Sequence, residues 1–425
     1  MNHTVIIIAG GKGTRSIDPS KPKSLHIVDS LPLIAHQISF LSDIGCKKII
    51  VIGNFGFDEL AKFFQENTPV GVNIEILKED VFGGTLGALQ YCKNKTIDSR
   101  VWVILGDLFF RIPLHVIERN MKLDTIDCLV LTHPNDHPRD SDVIEFDQFT
   151  HKVTLIHTKL NQNRGEMVGN AAIAGVYFIN LSRLADVPAK GDISLDLIPV
   201  AIGRNWNIQN YTFVEYCKDS GTPERIQAIE SDLKRGVITR RSKIGKTACF
   251  IDLDDTLLAN SNFKNANTPV NISPEIVRQL KKLNSVGVPV IVVTNQPGIA
   301  KGFFLANDWS IFRRKVESTL ANVEVFVDDW IVCPHHPEKG HRGENVELKV
   351  TCDCRKPSSG MFREMRDKHS IDLRKSFMIG DAPTDQASAT DVGIRFLRAS
   401  CNPSSHVPLS THEALEKVLA FYDHH

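Results

Sequence analysis

The segment "CFIDLDDTLL" sets Asp252 and Asp254 two residues apart directly after an apolar run. Side-chain alternation would turn both the same way, so that one carboxylate can attack phosphorus while the other moves a proton. Later stretches supply what else phosphoryl chemistry needs. "VVTNQPG" ends a strand on Thr294, whose hydroxyl suits a phosphoryl oxygen, with Asn295 beside it as a second candidate. "CRKPSSG" brings Arg355 and Lys356 to the charge of a phosphate. "MIGDAPTD" offers Asp381 and Asp385 on another strand end, where Mg2+ would be shared with Asp252; Asp385 reads equally well as a helix-capping residue. Between these pieces, Cys333-x-His335 and Cys352-x-Cys354 make a Cys3His set, the donor chemistry of a closed tetrahedral zinc site, with His336 and His341 as competing ligands. Arg355 and Lys356 directly follow the last of these cysteines. A metal there would fix the loop that presents the phosphate clamp, a structural role rather than a catalytic one.

A second set of chemical residues opens the chain. "TVIIIAGGKGTRS" runs from a β-branched stretch into Gly10, Gly11 and Gly13, where little side chain stands between a phosphate and the backbone. Ser16 stands where a dinucleotide loop needs its third glycine, and the P-loop pattern cannot be aligned. Thr14 and Arg15 follow, then Lys21 and Lys23; glycine N–H groups with such cations can hold a triphosphate and neutralise a departing pyrophosphate. No convincing acidic ribose ligand follows the second strand, which weakens a dinucleotide cofactor. Asp107 in "WVILGDLFF" and Asp219 in "CKDSGTPE" each sit in a loop after an apolar stretch, and two such aspartates can share Mg2+. The nucleotide therefore reads as a substrate.

The elements that must position these groups alternate. Buried-strand runs recur at 5–8, 48–52, 74–77, 101–105 and 128–132, with helix-like stretches such as 33–44 and 84–92 between them. That order means an α/β domain with a mostly parallel sheet. "DSGTPERIQAIESDLKRG" reads as one helix, N-capped by Thr222, with Pro223 at its first position and Gly236 stopping it. Polar, basic residues 237–246 read as a linker in which Arg240 and Arg241 carry solvated charge. Fresh strands in "TACFIDLDDTLL", "VPVIVVTNQ" and "SFMIGDAPTD" make the remainder a second α/β domain. The expected domains are thus 1–236 and 247–425, both doubly wound.

Composition narrows the class. The 425 residues carry 50 Lys and Arg against 50 Asp and Glu, with no basic block, so neither nucleic acid nor an anionic membrane is expected as a partner. No apolar run approaches the ~20 residues of a membrane span, and no signal peptide is expected at the N-terminus. Nine scattered cysteines argue against a disulfide framework and for a reducing cytoplasm. Nothing speaks to oligomeric state.

The first half resembles the sugar-1-phosphate nucleotidyltransferases, and among them the heptose-1-phosphate guanylyltransferases. The likeness rests on "AGGKGTRS…KPKSL", "VFGGTLGAL", "LGD", "KDSGTPE", "GNAAIAGVYFI" and "GDISLDLIP", in that order. It implies a Rossmann-like domain in which Gly10, Gly11, Gly13, Thr14, Gly84 and Thr85 contact the nucleotide. Arg15 and Lys23 would act on its phosphates, and Asp107 and Asp219 would hold Mg2+. Lys159, Gly169 and Asn170 would contact the sugar phosphate, although "HTKL" departs from the family's Glu-Lys-Pro at Thr158 and Leu160. The second half is similar to the haloacid dehalogenase phosphatases, in the branch of the heptose-1,7-bisphosphate and histidinol-phosphate phosphatases. That likeness makes Asp252 the nucleophile and Asp254 the general acid, then base, with a backbone carbonyl for the metal. Thr294 and Lys356 become the phosphate clamps and Asp381 a Mg2+ ligand. The branch usually reads Asp-Arg-Asp-Gly where this chain has Asp252-Leu253-Asp254-Asp255. Together the halves imply consecutive steps: a sugar bisphosphate loses one phosphate, and the resulting sugar 1-phosphate takes a nucleotidyl group from an NTP, GTP by resemblance. The substrates expected are NTP and sugar phosphates. The rival expectations are another sugar or polyol phosphate with another NTP, or one half serving only regulation.

Overall fold

Val5–Ile8 is built of β-branched residues with Val5, Ile6 and Ile7 fully buried, because it is the covered centre of a sheet rather than an edge. A computed structural model of the chain describes every residue except 12–19, 68–70, 94, 97, 136, 160–167, 260–263, 405, 408, 424 and 425. The described residues divide into two units, the first holding Met1–Thr132, Ser141–Asn161 and Ala172–Ile238, the second Thr239–His425 together with His133–Asp140 and the described part of Gln162–Ala171.

In the first unit Val5–Ile8 pairs in parallel with Lys48–Gly53 and Arg100–Leu105, and Lys48–Gly53 with Asn73–Lys78. The sheet is mixed, since Ala172–Asn180 joins Arg100–Leu105 antiparallel and carries Val143–Phe146 and Val153–His157 beyond it. The helices Leu33–Asp43 and Gly84–Lys93 fall where the sequence predicts them. So does Pro223–Lys234, where the Thr222 side chain accepts from Arg225 N. A short ribbon, Leu108–Phe110 against Cys217–Asp219, sits directly beside the two aspartates.

The second unit has a five-stranded parallel sheet in the order Asp329–Cys333, Val290–Asn295, Cys249–Ile251, Phe377–Gly380, Arg395–Arg398. Its central strand, Cys249–Ile251, is wholly buried. The helices Pro274–Val286, Ala306–Ala321, Gly360–His369, Pro383–Asp391 and Thr411–Asp423 accompany it. Asp252 and Asp381 each follow the C-terminal end of a strand, where open α/β sheets carry their sites.

Residues 237–246 are not the solvated passage that their polar composition predicts. Val237–Ser242 is a helix, and Arg241 is buried with its Nη1 2.6 Å from Asp328 Oδ1. Asp328 Oδ2 in turn accepts from Val290 N at 2.8 Å. Burial pushes the Asp328 carboxyl up and the Arg241 guanidinium pulls it back. Removing one partner strands a charge, so Arg241→Ala is expected to cost about 3–5 kcal/mol of stability, read by urea denaturation of the whole chain.

All nine cysteines are free thiols, and among the described residues no helix is long and apolar enough to cross a membrane.

Candidate active sites and metal centre

The strand Cys249–Ile251 delivers Asp252, whose backbone N–H donates to Ile379 O at 2.9 Å. Lys356 Nζ lies 2.6 Å from Asp252 Oδ1, 2.6 Å from Asp385 Oδ1 and 2.8 Å from Val293 O. Lys356 is 3% exposed, so only this partnership makes its charge tolerable. Burial disfavours the ammonium, but Asp252 and Asp385 outweigh it and hold its pKa up. Burial likewise pushes the Asp252 carboxyl up, opposed by Lys356 and reinforced by Asp385.

Carboxylate oxygens of Asp252, Asp381 and Asp385 lie within 4.8 Å of one another, the oxygen-only set that a hard divalent cation takes. Asp385 does cap its helix, Oδ2 accepting from Ala382 N at 3.1 Å, and its other oxygen is turned to the site. Of the two roles that the sequence left in competition, helix capping is thus filled, and the other oxygen meets Lys356. Asp254 stands apart from this cluster. Its carboxylate accepts from Lys264 Nζ at 2.7 Å and from Gln296 Nε2 at 2.8 Å.

Thr294 is buried and its hydroxyl accepts from Gln296 Nε2 at 3.0 Å. Asn295 is engaged by the backbone of the clamp residue itself: its Nδ2 donates to Lys356 O and its Oδ1 accepts from Lys356 N, both at 3.0 Å. It supports the loop that carries Lys356. Arg355 Nη1 donates to His335 O at 3.3 Å, which ties the clamp loop to the Cys/His loop. Asp255 has φ +56°, a left-handed conformation that Asp tolerates better than most residues.

Cys333, His335, Cys352 and Cys354 form a closed quartet. Cys354 Sγ is 3.2 Å from each of Cys333 Sγ, Cys352 Sγ and His335 Nδ1, and Cys333 Sγ is 3.6 Å from Cys352 Sγ and His335 Nδ1. A tetrahedron with metal–sulfur bonds of about 2.3 Å has edges of about 3.8 Å, close to these spacings. Three thiols and an imidazole are soft donors, and the quartet fits a metal of zinc's kind. His336 and His341 lie outside it.

In the first unit Asp107 follows Arg100–Leu105, and Asp219 pairs in register with Leu108. Ser220 closes the gap, its N and Oγ donating to Asp107 O at 2.8 and 3.0 Å. Lys23 Nζ is 2.8 Å from Asp107 Oδ2, and Arg225 pairs with Asp219. Asp107 and Asp219 side chains are 25% and 35% exposed, open enough to receive a ligand. Gly10 packs so tightly that a Cβ there would meet Asn54 N at 2.8 Å. A Cβ on Gly11 would meet nothing within 4 Å among the described residues, while Gly13, Thr14 and Arg15 lie outside them.

Gly84 has φ +73°, and a Cβ on it would meet Gly191 O at 2.2 Å. Thr85 Oγ1 donates to Asp192 Oδ2 at 3.0 Å and accepts from Ile193 N at 2.9 Å, so this hydroxyl joins two loops. Buried Glu79, unnoticed in the sequence, braces the same turn by accepting from Gly83 N at 3.0 Å. Lys159 is exposed, its N–H donating to Asp142 Oδ1 at 2.8 Å. Gly169 and Asn170 group with the second unit, where Gly169 N donates to Ser318 Oγ at 3.2 Å and Asn170 N to Glu317 Oε2 at 3.1 Å. Asn170 Nδ2 donates to Asn135 O at 2.7 Å.

Sequence reasoning missed Lys264, Arg225 and Glu79 altogether. Gln296 was visible only as the third letter of "TNQ".

Comparison with known proteins gives two family matches, nucleotidyl transferase over residues 4–235 and polynucleotide kinase 3 phosphatase over residues 246–398. The D-glycero-beta-D-manno-heptose-1,7-bisphosphate 7-phosphatase of Escherichia coli O6:H1 is 33% identical over 158 residues, covering 37% of this chain and 81% of that protein. A D-glycero-alpha-D-manno-heptose-1,7-bisphosphate 7-phosphatase of Photorhabdus laumondii is 31% identical over 158 residues, covering 37% of this chain and 84% of that protein. Among solved structures, HddC from Yersinia pseudotuberculosis matches with a TM-score of 0.47 at 22% identity, over 54% of this chain and 99% of that one.

Proposed function

The chain belongs to the nucleotidyl transferase family and also to that of the heptose-bisphosphate phosphatases, and from this we propose that it carries out two consecutive steps of nucleotide-sugar synthesis. Residues 247–425 remove the 7-phosphate of heptose 1,7-bisphosphate. Residues 1–236 then join the resulting heptose 1-phosphate to GMP from GTP, releasing pyrophosphate. The observation that carries this reading is the pairing, in one chain, of the nucleotidyl transferase match with the likeness to heptose-bisphosphate phosphatases. A 7-phosphatase leaves the 1-phosphate in place, and a 1-phosphate is what a sugar nucleotidyl transferase consumes.

In the phosphatase half, Asp252 attacks phosphorus, the bond to the sugar oxygen breaks, and Asp254 protonates that oxygen. Water then attacks the aspartyl phosphate, gives its proton to Asp254, and frees phosphate and Asp252. Lys356 and Thr294 hold phosphoryl oxygens. In the transferase half the sugar phosphate, already ionised, attacks the α-phosphorus in line. Gly10 and Gly11 admit the phosphates, Arg15 and Lys23 offset charge, and Gly84 and Thr85 shape the base side of the site. Asp252, Asp381 and Asp385, with the Asp254 carbonyl, would hold Mg2+ in the phosphatase half, and Asp107 and Asp219 would hold it in the other, where it would neutralise phosphoryl charge. Zinc at Cys333, His335, Cys352 and Cys354 holds the clamp loop. The scattered cysteines favour work in a reducing cytoplasm, on small molecules.

The match to polynucleotide 3 phosphatases supports a second reading, in which the phosphate removed is the 3′-phosphate of a nucleic acid. One assay separates them. Purified chain with Mg2+ is given heptose 1,7-bisphosphate, other sugar and polyol phosphates, or a 3′-phosphorylated oligonucleotide, and then each NTP. Phosphate release from the heptose compound followed by a GDP-sugar is expected; release from the oligonucleotide alone would overturn the reading.

A further inference from the structure

Lys264 is a buried cation set against the Asp254 carboxylate. Its side chain is 1% exposed, yet it sits in a polar stretch, "ANSNFKNANTP", that gives no sign of a core position. Its ammonium is 2.7 Å from Asp254 Oδ1 and 5.6 Å from the centre of the buried Phe312 ring. The backbone around it is fixed in turn. Asn265 N donates to Thr268 Oγ1 at 3.1 Å, and Lys315 Nζ donates to Ala266 O and Thr268 O at 3.0 and 2.8 Å. Among the described residues the other oxygen, Asp254 Oδ2, accepts from a neutral donor, Gln296 Nε2 at 2.8 Å, which also reaches Thr294 Oγ1.

From this asymmetry we infer that Lys264 is a positioning residue of the phosphatase reaction, its ammonium anchoring Asp254 Oδ1 so that Oδ2 is the oxygen that gives and takes the proton. The inference rests on the phosphatase reading above. A proton on the oxygen facing an ammonium is disfavoured, whereas an amide donor yields its place on Oδ2 at small cost. In the first half-reaction the P–O bond to the sugar breaks, its electron pair passes to the sugar oxygen, and that oxygen takes the proton from Oδ2. In the second, the water that attacks the aspartyl phosphate returns a proton to Oδ2. Lys264 acts only through the Asp254 carboxylate.

The test compares Lys264→Met, and Lys264→Gln as the milder variant that keeps a donor, on two substrates. Heptose 1,7-bisphosphate needs its leaving oxygen protonated; p-nitrophenyl phosphate releases a phenolate that does not. Lys264→Met is expected to lower kcat/KM about 10- to 100-fold on the first and less than about 3-fold on the second, with Lys264→Gln between it and the parent. In an Asp254→Asn background the same substitution should cost less than about 2-fold, because its effect passes through Asp254. Equal losses on both substrates, an undiminished loss beside Asp254→Asn, or no loss at all would overturn the inference. A parent chain that hydrolyses neither phosphate overturns the phosphatase reading and this inference with it.

Discussion

Asp252→Asn is expected to lower phosphate release from heptose 1,7-bisphosphate by at least about 10³-fold, while pyrophosphate release from NTP and sugar 1-phosphate stays within about 2-fold. Asparagine keeps the shape and removes the nucleophile: an amide oxygen cannot form the aspartyl phosphate. The fold has reason to survive the change, because Lys356 keeps Asp385 at 2.6 Å and Val293 O at 2.8 Å when Asp252 loses its charge. The reciprocal variant, Asp107→Asn, acts on the other reaction. It removes the carboxylate that faces Lys23 at 2.8 Å and adjoins Asp219, so nucleotidyl transfer should fall while phosphate release persists. Both products can be followed in one preparation. If Asp252→Asn leaves phosphate release intact, the nucleophile lies elsewhere. If either variant silences both reactions, the halves do not work as separate catalysts, and the idea that one serves only regulation gains ground.

What could be read without coordinates follows the range of the forces involved. The strands Val5–Ile8, Lys48–Gly53 and Val290–Asn295 are continuous apolar runs, and burial on both faces of a parallel sheet writes itself into local composition. The helix Pro223–Lys234 was legible to its cap because the Thr222 bond to Arg225 N spans three residues. The Cys/His quartet was legible because its ligands must come in close pairs. Partners brought together by tertiary approach left no such trace. Lys264 reaches Asp254 across a ten-residue separation through a stretch that looks like solvated loop. Arg241 finds Asp328 at a separation of 87, so its charge, read as solvent-facing, is buried. Asn170, assigned to the sugar by resemblance, is bonded to Glu317 at a separation of 147. In each case the residue type was visible and the neighbour was not.

Stripping the Cys/His quartet of its metal should act on the phosphatase half alone. The four donors come from two short pairs, 19 and 21 residues apart across the loop, and the second pair runs without a gap into Arg355 and Lys356. A bound zinc therefore fixes the chain immediately before the ammonium that meets Asp252 at 2.6 Å. Without it three thiols and an imidazole have no shared cation, and the loop is free to separate. Treatment with a strong zinc chelator, followed by restored Mg2+, is expected to lower phosphate release at least about 10-fold and to destabilise this half by about 3 kcal/mol or more, with nucleotidyl transfer spared. Adding Zn2+ should return the activity, which Mg2+ alone cannot do if the lost ion is the sulfur-bound one. Cys354→Ser should reproduce the loss without a chelator, since Cys354 touches all three of its neighbours in the quartet. Full phosphate release from metal-stripped protein supplied only with Mg2+ would mean that thiol packing holds the clamp loop by itself. In that event the coupling between the quartet and Lys356 would rest on the Arg355 bond to His335 O rather than on a metal.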